Sequence, residues 1–346
     1  MIECSQLRSV LRLAMTGVFG CCLAGGALAA AQSATAAQAA TAVRTASTAR
    51  TYAGFDSNLY PGDDQLQRLR RSFDYAGYWL SPPPGATATT WRGKRELLEQ
   101  HGFGFLVLYN GRLEKEIADF SRSHHGQPGN GISPPAALGA ADAKLAVIAA
   151  RREGFPAGTI LFLDQEEGGR LTEPQTAYLF AWAKGVREGG FRAGAYCSGI
   201  PVLEGKGSIT TAQDIVAKEK AAVAAEDAKA EIRTGKATAA QAKAGKAEDE
   251  AIALWVYNDA CPPAPGCVVP PRMPEPGLSG MESAEVWQYA QSPQRRPIAS
   301  ACPGYNKADN NCYLPGVDRG AKAMGEPLLD LDTATSADPS HGRTGR

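Results

Sequence analysis

Two carboxylates separated by one residue follow a hydrophobic run near the middle of the chain, Asp164 and Glu166 in the segment LFLDQEE. Side chains two residues apart in a β-strand point to the same face, with Cα atoms about 6.6 Å apart. Both carboxylates can therefore face one pocket, where one acid donates a proton and the other stays ionised. The spacing also fits an acidic strand end that stays in water or caps the next helix.

Acid, amide or tyrosine side chains end several other hydrophobic runs of the sequence. They are Asp56, Tyr109 and Asn110, Tyr257 and Asn258, Gln288 and Tyr289, and Asp332. Reactive groups at strand ends are typical of parallel β/α barrels, because the loops at the carboxyl ends of the strands form the open mouth. The recurrence predicts a single site built from many strands.

Eight short runs of β-branched, aromatic and aliphatic residues have the character of strands. They are residues 52–56, 75–80, 104–109, 160–164, 193–197, 252–257, 285–289 and 328–332. Helices are predicted at 63–73, 90–100, 141–152 and 172–188, where Thr or Asp and Gly mark the ends. Long Pro-rich loops join the later strands. The sequence therefore predicts an α/β fold, a TIM-type (β/α) barrel that is regular in its first five units and irregular in its last three strands.

The amino terminus predicts export. Arg8 and Arg12 precede an apolar stretch that ends in Ala-Leu-Ala at 27–29, the order of a secretory signal peptide over residues 1–29. A transmembrane helix is the alternative, but the stretch is short and no stop-transfer pattern follows it. A partial lipobox at Cys21 or Cys22 leaves lipidation as a further alternative. We expect a secreted or periplasmic protein without stable membrane insertion after cleavage.

Four segments complete the predicted organisation. An Ala/Thr-rich linker is predicted over 30–50, the barrel over 51–333, and a disordered tail over 334–346. Residues 208–250 are rich in Ala, Lys and Glu without an aromatic residue, which predicts an inserted hairpin of two polar helices broken near Gly235. A partner-binding arm is the alternative, although the segment carries no apolar stripe. About 240 barrel residues remain, close to the roughly 250 of typical β/α barrels.

The set GFDSN, LFLDQEEG, GAYCSG, LWVYN, VWQYA and LLDLD resembles a family of exported glycoside-hydrolase-like barrels, long known as a domain of unknown function. More distantly it resembles glycoside hydrolase family 25 lysozymes. The resemblance spans about 52–333 and leaves the Ala-rich insertion unmatched. It implies a barrel of five regular units and three further strands that acts on, or binds, cell-wall glycan. It also implies an acidic site at Asp56, Asp164 and Glu166, closed by Asp332, with Asp330 and Asp318 as nearby alternatives to Asp332.

The roles that this resemblance implies follow from glycoside hydrolysis, which needs one protonated and one ionised carboxyl group. Glu166 is assigned as the acid because its side chain reaches farther, and Asp164 as nucleophile or charge stabiliser. Asp56 positions the substrate or tunes the pair. Carboxylates that converge in one mouth raise the pKa of at least one of them. Glu167 is a rival acid if a turn begins at Glu166.

Substrate binding calls for aromatic and amide groups, because sugar rings stack on aromatic side chains. The predicted substrate-binding residues are Tyr109, Tyr196, Tyr257, Asn258, Gln288 and Asp332. Aromatic residues within strands more often serve packing. Tyr109, Tyr257 and Gln288 are favoured because they stand last or nearly last in their strands.

The composition of the chain argues against several classes of binding partner and cofactor. The chain has 36 basic and 36 acidic side chains, a balance that argues against nucleic-acid binding. Four histidines lack metal-ligand spacing, so neither a metal nor another cofactor is predicted. In an oxidising compartment, Cys261 with Cys267 and Cys302 with Cys312 are the local disulfides, with crossed pairing as the alternative. Cys197 is predicted to be buried and inert.

Two functions remain open from the sequence. The first is an exported glycoside hydrolase acting on peptidoglycan, and the second is a non-catalytic barrel that binds cell-wall polysaccharide. An open cleft shared by Asp56, Asp164 and Glu166 favours hydrolysis, whereas a blocked mouth favours binding alone. No protein partner is identified.

Overall fold

The computed structural model of the chain describes residues 50–124, 131–234, 251–258, 273–290 and 329–345. Side chains of the helix that ends this second range are described to Ala225. The predicted signal peptide, almost all of the linker, the four loop cysteines and residues 235–250 of the predicted hairpin lie outside the described residues.

Eight of the described strands form a closed barrel with the order β1-β10-β9-β8-β5-β4-β3-β2. The strands are β1 Tyr52–Asp56, β2 Tyr75–Trp79, β3 Gly104–Asn110, β4 Ile160–Gln165, β5 Arg192–Ser198, β6 Val202–Glu204, β7 Gly207–Ile209, β8 Ala253–Tyr257, β9 Ala284–Ala290 and β10 Asp330–Ala334. Strands β6 and β7 form a separate hairpin. The predicted α/β barrel is thereby confirmed, and each of the eight predicted runs overlaps a barrel strand.

Strand β10 departs from the regular parallel pattern. It pairs antiparallel with both β1 and β9, whereas the other barrel pairs are parallel. Its carboxyl end therefore lies at the opposite end of the barrel from the mouth. A residue near the start of β10 is at mouth level, and a residue two positions later is deeper.

Six helices cover the barrel in the described ranges. They are α1 Leu66–Leu69, α2 Arg95–Gln100, α3 Glu114–Ser123, α4 Pro134–Arg152, α5 Glu173–Glu188 and α6 Thr211–Thr234, with 3-10 turns at Asp63–Gln65 and Pro276–Ser279. Helix α5 begins as predicted, because Thr172 accepts a hydrogen bond from the Gln175 amide in a capping box. Helix α4 begins before its predicted start at 141, since proline is tolerated in the first helical turn. None of these helices is long and apolar enough to cross a membrane.

Helix α6 corrects the prediction of a solvated insertion over 208–250. Its first turns pack on the barrel through Thr211, Ala212, Asp214 and Ile215, all buried. The helix thus occupies the place between β5 and β8 that a regular barrel unit gives to its helix. The Ala/Lys/Glu composition obscured this role, because only a few positions of the first turns face the barrel.

The carboxyl-terminal segment corrects the prediction of a disordered tail. Strand β3 begins at Gly104, but its pairing with β4 begins only at Val107. Residues 338–341 fill the uncovered edge: the amide of Phe105 donates to Asp338 Oδ1, and the amide of Val107 donates to Ser340 Oγ, both at 2.8 Å. The Ile160 amide also donates to the Ser340 carbonyl at 2.8 Å. The polar side chains that suggested disorder instead satisfy strand amides at the lower end of the barrel.

We expect Ser340→Ala to lower the free energy of unfolding by about 1–3 kcal/mol, because it leaves the buried amide of Val107 without an acceptor. The urea midpoint of the full chain measures this loss. Ser208→Ala, at an exposed position of β7, serves as the control and should change stability by less than about 0.5 kcal/mol. Equal midpoints for the two variants would contradict a structural role for the terminal segment.

Candidate active site

Strand register brings polar side chains of six strands to the inner face of the barrel mouth. Asn110 of β3 lies beside Asp164 of β4, which lies beside Tyr196 of β5. Farther round the barrel, Tyr257 of β8 lies beside Gln288 of β9. Alternating side chains in a barrel strand point inward, so neighbours in register share the inner face. The arrangement forms a continuous polar ring, which Asp56 of β1 completes.

Asp56 has room in this ring because its neighbour on β2 is a glycine. A Cβ atom at Gly77 would lie only 2.5 Å from the Cβ of Asp56. Any larger residue at that position displaces the Asp56 side chain. The glycine therefore lets the carboxylate stand at the mouth, where it is 4% exposed.

A directional hydrogen-bond chain fixes Asp56. The Tyr196 hydroxyl donates to Gln288 Oε1 at 2.8 Å, and Gln288 Nε2 donates to Asp56 Oδ2 at 2.7 Å. The amide is thus oriented at both ends, with its oxygen toward the tyrosine and its nitrogen toward the carboxylate. Donation to a carboxylate stabilises the charged form. Gln288, predicted only as a substrate-binding residue, orients Asp56 from below the open mouth.

The antiparallel course of β10 places two further aspartates beside Asp56. Asp330 is in register with Asp56 itself, whereas Asp332 is in register with Gly54, one inward position deeper. Asp332 is fully buried, and Trp255 Nε1 donates to its Oδ1 at 3.0 Å. The acid of this strand at the level of the mouth is therefore Asp330. Asp332, the predicted substrate-binding residue, is enclosed below it.

Burial raises the pKa of Asp332 well above its ordinary value, and the negative charges of Asp56 and Asp330 add to the increase. A side-chain hydrogen bond with Asp56 acts in the same direction. Its surroundings therefore favour the uncharged form of the Asp332 carboxyl group. The predicted rise in pKa among converging carboxyl groups thus falls on the deepest member of the cluster.

The Tyr196 hydroxyl experiences the charges of several carboxylates. Burial raises the pKa of its hydroxyl well above the ordinary value, and further increases come from the charges of Asp56, Asp164, Asp330 and Glu166. Four acids from three strands and one loop therefore act on a single hydroxyl. Asp164 is 6% exposed, whereas Glu166 is exposed to solvent. The cluster thus combines a sheltered carboxylate with one that reaches the open mouth.

The loop after β4 holds Glu166 through its backbone. The Tyr257 hydroxyl donates to the Glu166 carbonyl, and the Thr211 hydroxyl donates to the Gly169 carbonyl at 2.8 Å. The neighbouring Glu167 carboxylate accepts from the Glu114 amide at 2.7 Å and from Gln175 Nε2 at 2.6 Å. Glu167 therefore links the amino-terminal turns of α3 and α5. Both hydrogen bonds stabilise its ionised form, whereas a general acid must be protonated.

An ion-pair network anchors the same loop to α6. Arg170 pairs with Glu204 through two contacts of 2.7 Å and with Asp214 at 2.8 Å. Asp214 is fully buried and also accepts from Lys218 Nζ at 2.7 Å and from the Leu171 amide at 2.9 Å. Sequence reasoning missed this network, because Asp214 and Lys218 lie in the stretch assigned to a solvated hairpin. The only signal was the four-residue spacing of Asp214 and Lys218.

Two predicted substrate-binding residues lie outside the ring. Tyr109 is in register with Leu163, so it faces outward toward the helices. Burial raises the pKa of Tyr109 to about 12, with a contribution from the charge of Asp142. Asn258 Nδ2 donates to the Ser279 carbonyl at 3.0 Å, a contact that holds the 3-10 turn Pro276–Ser279. The inward residue of β3 is Asn110, because the strand extends one residue beyond its predicted end.

Other reactive groups contribute little at this site. Cys197 is buried and carries a free thiol, whose pKa burial raises to about 12. A thiol in that state is a poor nucleophile. Within the described ranges, no group of three His, Cys, Asp or Glu side chains is arranged to hold a metal ion.

The comparison with family models covers the part of the chain that carries Asp164 and Glu166. Residues 88–224 match the family model of the Rv2525c-like, glycoside hydrolase-like domain. The match confirms, over these residues, the predicted resemblance to glycoside-hydrolase-like domains. It also reaches into α6, a part of the chain that was predicted to be an unmatched insertion. Among curated proteins no match is found.

Solved structures similar to the domain include an uncharacterized B. stearothermophilus protein, with 19% identity, a TM-score of 0.42, and coverage of 82% of this chain and 95% of that chain. The Mycobacterium tuberculosis Tat-secreted protein Rv2525c in complex with L-tartrate has 11% identity and a TM-score of 0.39, covering 82% and 95%. The Clostridium perfringens spore cortex lytic enzyme SleM has 12% identity and a TM-score of 0.41, covering 83% and 68%.

We expect Asp332→Asn to be more stable than the wild type at pH 7.5, with the difference shrinking as the pH falls toward 4. An unfolded aspartate titrates near pH 3.9, whereas folded Asp332 holds its proton to much higher pH. The wild type therefore loses stability as the pH rises above about 4. Asparagine avoids this loss, because it keeps an acceptor for Trp255 and a donor for Asp56. Thermal midpoints measured across this pH range test the expectation.

Asp119→Asn is the control, because the pKa of Asp119 is shifted in the opposite direction from that of Asp332. A hydrogen bond with Lys115 lowers the pKa of the exposed Asp119 carboxyl. Its contribution to stability is present above the unfolded pKa and disappears as the pH falls through the lowered folded value. This control should therefore show no stabilisation at pH 7.5. A wild type and an Asp332→Asn variant with the same midpoint at every pH would contradict the protonated state of Asp332.

Proposed function

We propose that this chain is an exported glycoside hydrolase that cleaves peptidoglycan glycan through the carboxyl groups of the barrel mouth. The observation that carries the proposal is the strand register, which places Asp164 beside Tyr196 and Asp330 beside Asp56, with Tyr196 linked to Asp56 through Gln288. Glycoside hydrolysis requires an acid and a carboxylate on the two sides of one scissile bond. A polar ring at the carboxyl ends of barrel strands is where such groups meet substrate.

Glu166 is the proposed acid, because it is the exposed member of the cluster and follows the strand that carries Asp164. Its proton goes to the glycosidic oxygen as the bond between that oxygen and the anomeric carbon breaks. Asp164, sheltered from water, stabilises the positive charge that develops on the sugar ring, or bonds to it as nucleophile. Water then supplies a hydroxyl group to the anomeric carbon and returns a proton to the carboxyl pair.

Asp56 is the proposed positioning residue for substrate. Gln288 Nε2 donates to its Oδ2 at 2.7 Å, so its negative charge is stabilised and its orientation is fixed. A fixed carboxylate at the mouth accepts hydrogen bonds from sugar hydroxyl groups. Tyr257 is half-buried and packs on the buried Tyr196 ring of the neighbouring strand, with 5.1 Å between centroids, so Tyr257 supplies the aromatic surface on the adjoining wall. Such a surface suits the apolar face of a sugar ring.

The export step of the proposal rests on residues 1–29, with their basic start, apolar centre and Ala-Leu-Ala end. Cell-wall glycan is an extracytoplasmic polymer, so the predicted signal peptide and the proposed substrate agree in compartment. Without an adjacent pair of arginines, the general export route is favoured over the twin-arginine route.

We expect Glu166→Gln to slow the clearing of purified cell walls by at least about 100-fold, since general acid catalysis contributes about 10²–10⁴-fold. The measurement is the loss of turbidity with time. Glu188→Gln is the matched control, because Glu188 is 68% exposed at the far end of α5 and pairs only with Lys184 among the described residues. The control should clear walls at the wild-type rate.

Two results of this experiment would count against hydrolysis. Clearing by the wild type and the Glu166→Gln variant at equal rates would remove Glu166 from the proposed chemistry. Wild-type protein that sediments with the walls but clears none would favour the alternative, a non-catalytic barrel that binds cell-wall glycan.

A further inference from the structure

A cavity of about 220 Å³ lies beside the acidic mouth. Residues 81–86, which follow β2, form one wall, and residues 109–112, at the end of β3, form the other; Glu116 of α3 completes it. Both walls lie at the carboxyl ends of parallel strands and so belong to the same rim as the mouth. None of the roles assigned above to the carboxyl cluster uses this cavity.

The cavity and the proposed catalytic strand share a wall. Asn110 is in register with Asp164. The next residue, Gly111, packs so tightly that a Cβ atom there would lie 2.1 Å from the Asp164 carbonyl oxygen. A group bound in the cavity is therefore held at a fixed position relative to Asp164. A polymer that enters the mouth can place its adjoining unit in the cavity.

The polar groups of the cavity are balanced in charge. Arg112 forms a two-point pair with the buried Asp142, at 2.8 and 3.0 Å, and lies 3.8 Å from Glu116. Its side chain is still 39% exposed, so part of the guanidinium group faces solvent. The site thus offers fixed donors and acceptors without a surplus of either charge. Such a surface suits hydroxyl and amide groups better than a charged peptide.

The remaining lining combines two prolines with hydrogen-bonded polar groups. Pro82 and Pro83 stand in one wall, and the Pro82 carbonyl accepts from Asn110 Nδ2 at 3.1 Å, which links the two walls. The Asn110 amide also donates to Ser81 Oγ at 2.8 Å. A preformed site of this kind loses little entropy when it binds a ligand. Its volume is below the range of about 300–1,000 Å³ typical of drug-sized ligands, which favours a single ring.

We propose that this cavity is a subsite for one uncharged sugar ring of the glycan, adjacent to the ring held at Asp164. The inference rests on the proposed function for the identity of the polymer. It adds a specificity element: a chain of several sugar units binds through both the mouth and the cavity, whereas a single sugar cannot fill both.

The test fills the cavity without touching the mouth. Ala86 lines the cavity at an exposed loop position, and Ala88, two residues on, is exposed and outside the lining. Ala86→Trp and its control Ala88→Trp are made in the Glu166→Gln background, so that the ligand is not consumed. The probe is a soluble β-1,4-linked tetramer of N-acetylglucosamine, titrated calorimetrically into the full chain.

We expect Ala86→Trp to weaken the Kd for the tetramer at least tenfold and Ala88→Trp to change it less than twofold. N-acetylglucosamine monomer should bind all three proteins at least a hundredfold more weakly than the parent binds the tetramer. Equal tetramer affinities for the two tryptophan variants would overturn the subsite. Failure of the parent protein to bind tetramer at millimolar concentration, or tighter binding of an acidic stem peptide than of tetramer, would overturn it as well.

Failure of the subsite and failure of hydrolysis give different results. Clearing of walls by wild-type protein together with unchanged tetramer binding by Ala86→Trp leaves hydrolysis standing and rejects the subsite. Weakened binding by Ala86→Trp together with absent wild-type clearing supports the subsite in a barrel that binds glycan without cleaving it.

Discussion

Closure of the barrel by an antiparallel strand is the constraint on which the mouth depends. Because β10 runs against β1, it presents Asp330 beside Asp56 and Asp332 one step deeper, both toward the interior. A parallel strand in the same place would carry its final acid to the mouth and its earlier residues to the core. The direction of a single strand therefore decides which aspartate lies at the level of the mouth and which lies deeper.

Enclosing Asp332 has a chemical consequence for the whole cluster. A buried carboxylate without compensation is costly, so burial raises the pKa of Asp332 and favours its uncharged form. Gln288, which Tyr196 orients, donates to Asp56 and stabilises the charge there. The charge of the mouth is thereby concentrated on Asp56, Asp164 and their exposed neighbours. An acidic site of this kind repels anionic polymers and suits an uncharged glycan backbone.

The sequence predicted those features that depend on local pattern. Strand-like runs predicted the eight-stranded barrel, and the alternation of side chains along β4 predicted that Asp164 faces its interior. The direction of β10 was not predictable, because a run of five residues carries no signal for parallel or antiparallel pairing. Strand β3 was predicted to end at Tyr109, but it ends one residue later. Tyr109 therefore faces outward, and Asn110 faces the mouth.

Two segments were misjudged because their composition is polar. Helix α6 buries only a few residues in its first turns, yet those residues anchor the Glu166 loop through Asp214 and Thr211. The terminal segment at 338–341 looked unstructured, but it completes the edge of β3 with backbone and side-chain hydrogen bonds. In both cases the stabilising partners lie far away in sequence, so no local window contains them.

The most direct test of the central claim is to follow the bond that is cleaved. Purified peptidoglycan digested with the wild-type protein in H₂¹⁸O should yield soluble fragments with new reducing ends that carry ¹⁸O at the anomeric carbon, as detected by mass spectrometry. Hydrolysis of the glycosidic bond places the oxygen of water there. Fragments that carry ¹⁸O in peptide carboxyl groups instead, or no new reducing ends after full incubation, would contradict the account.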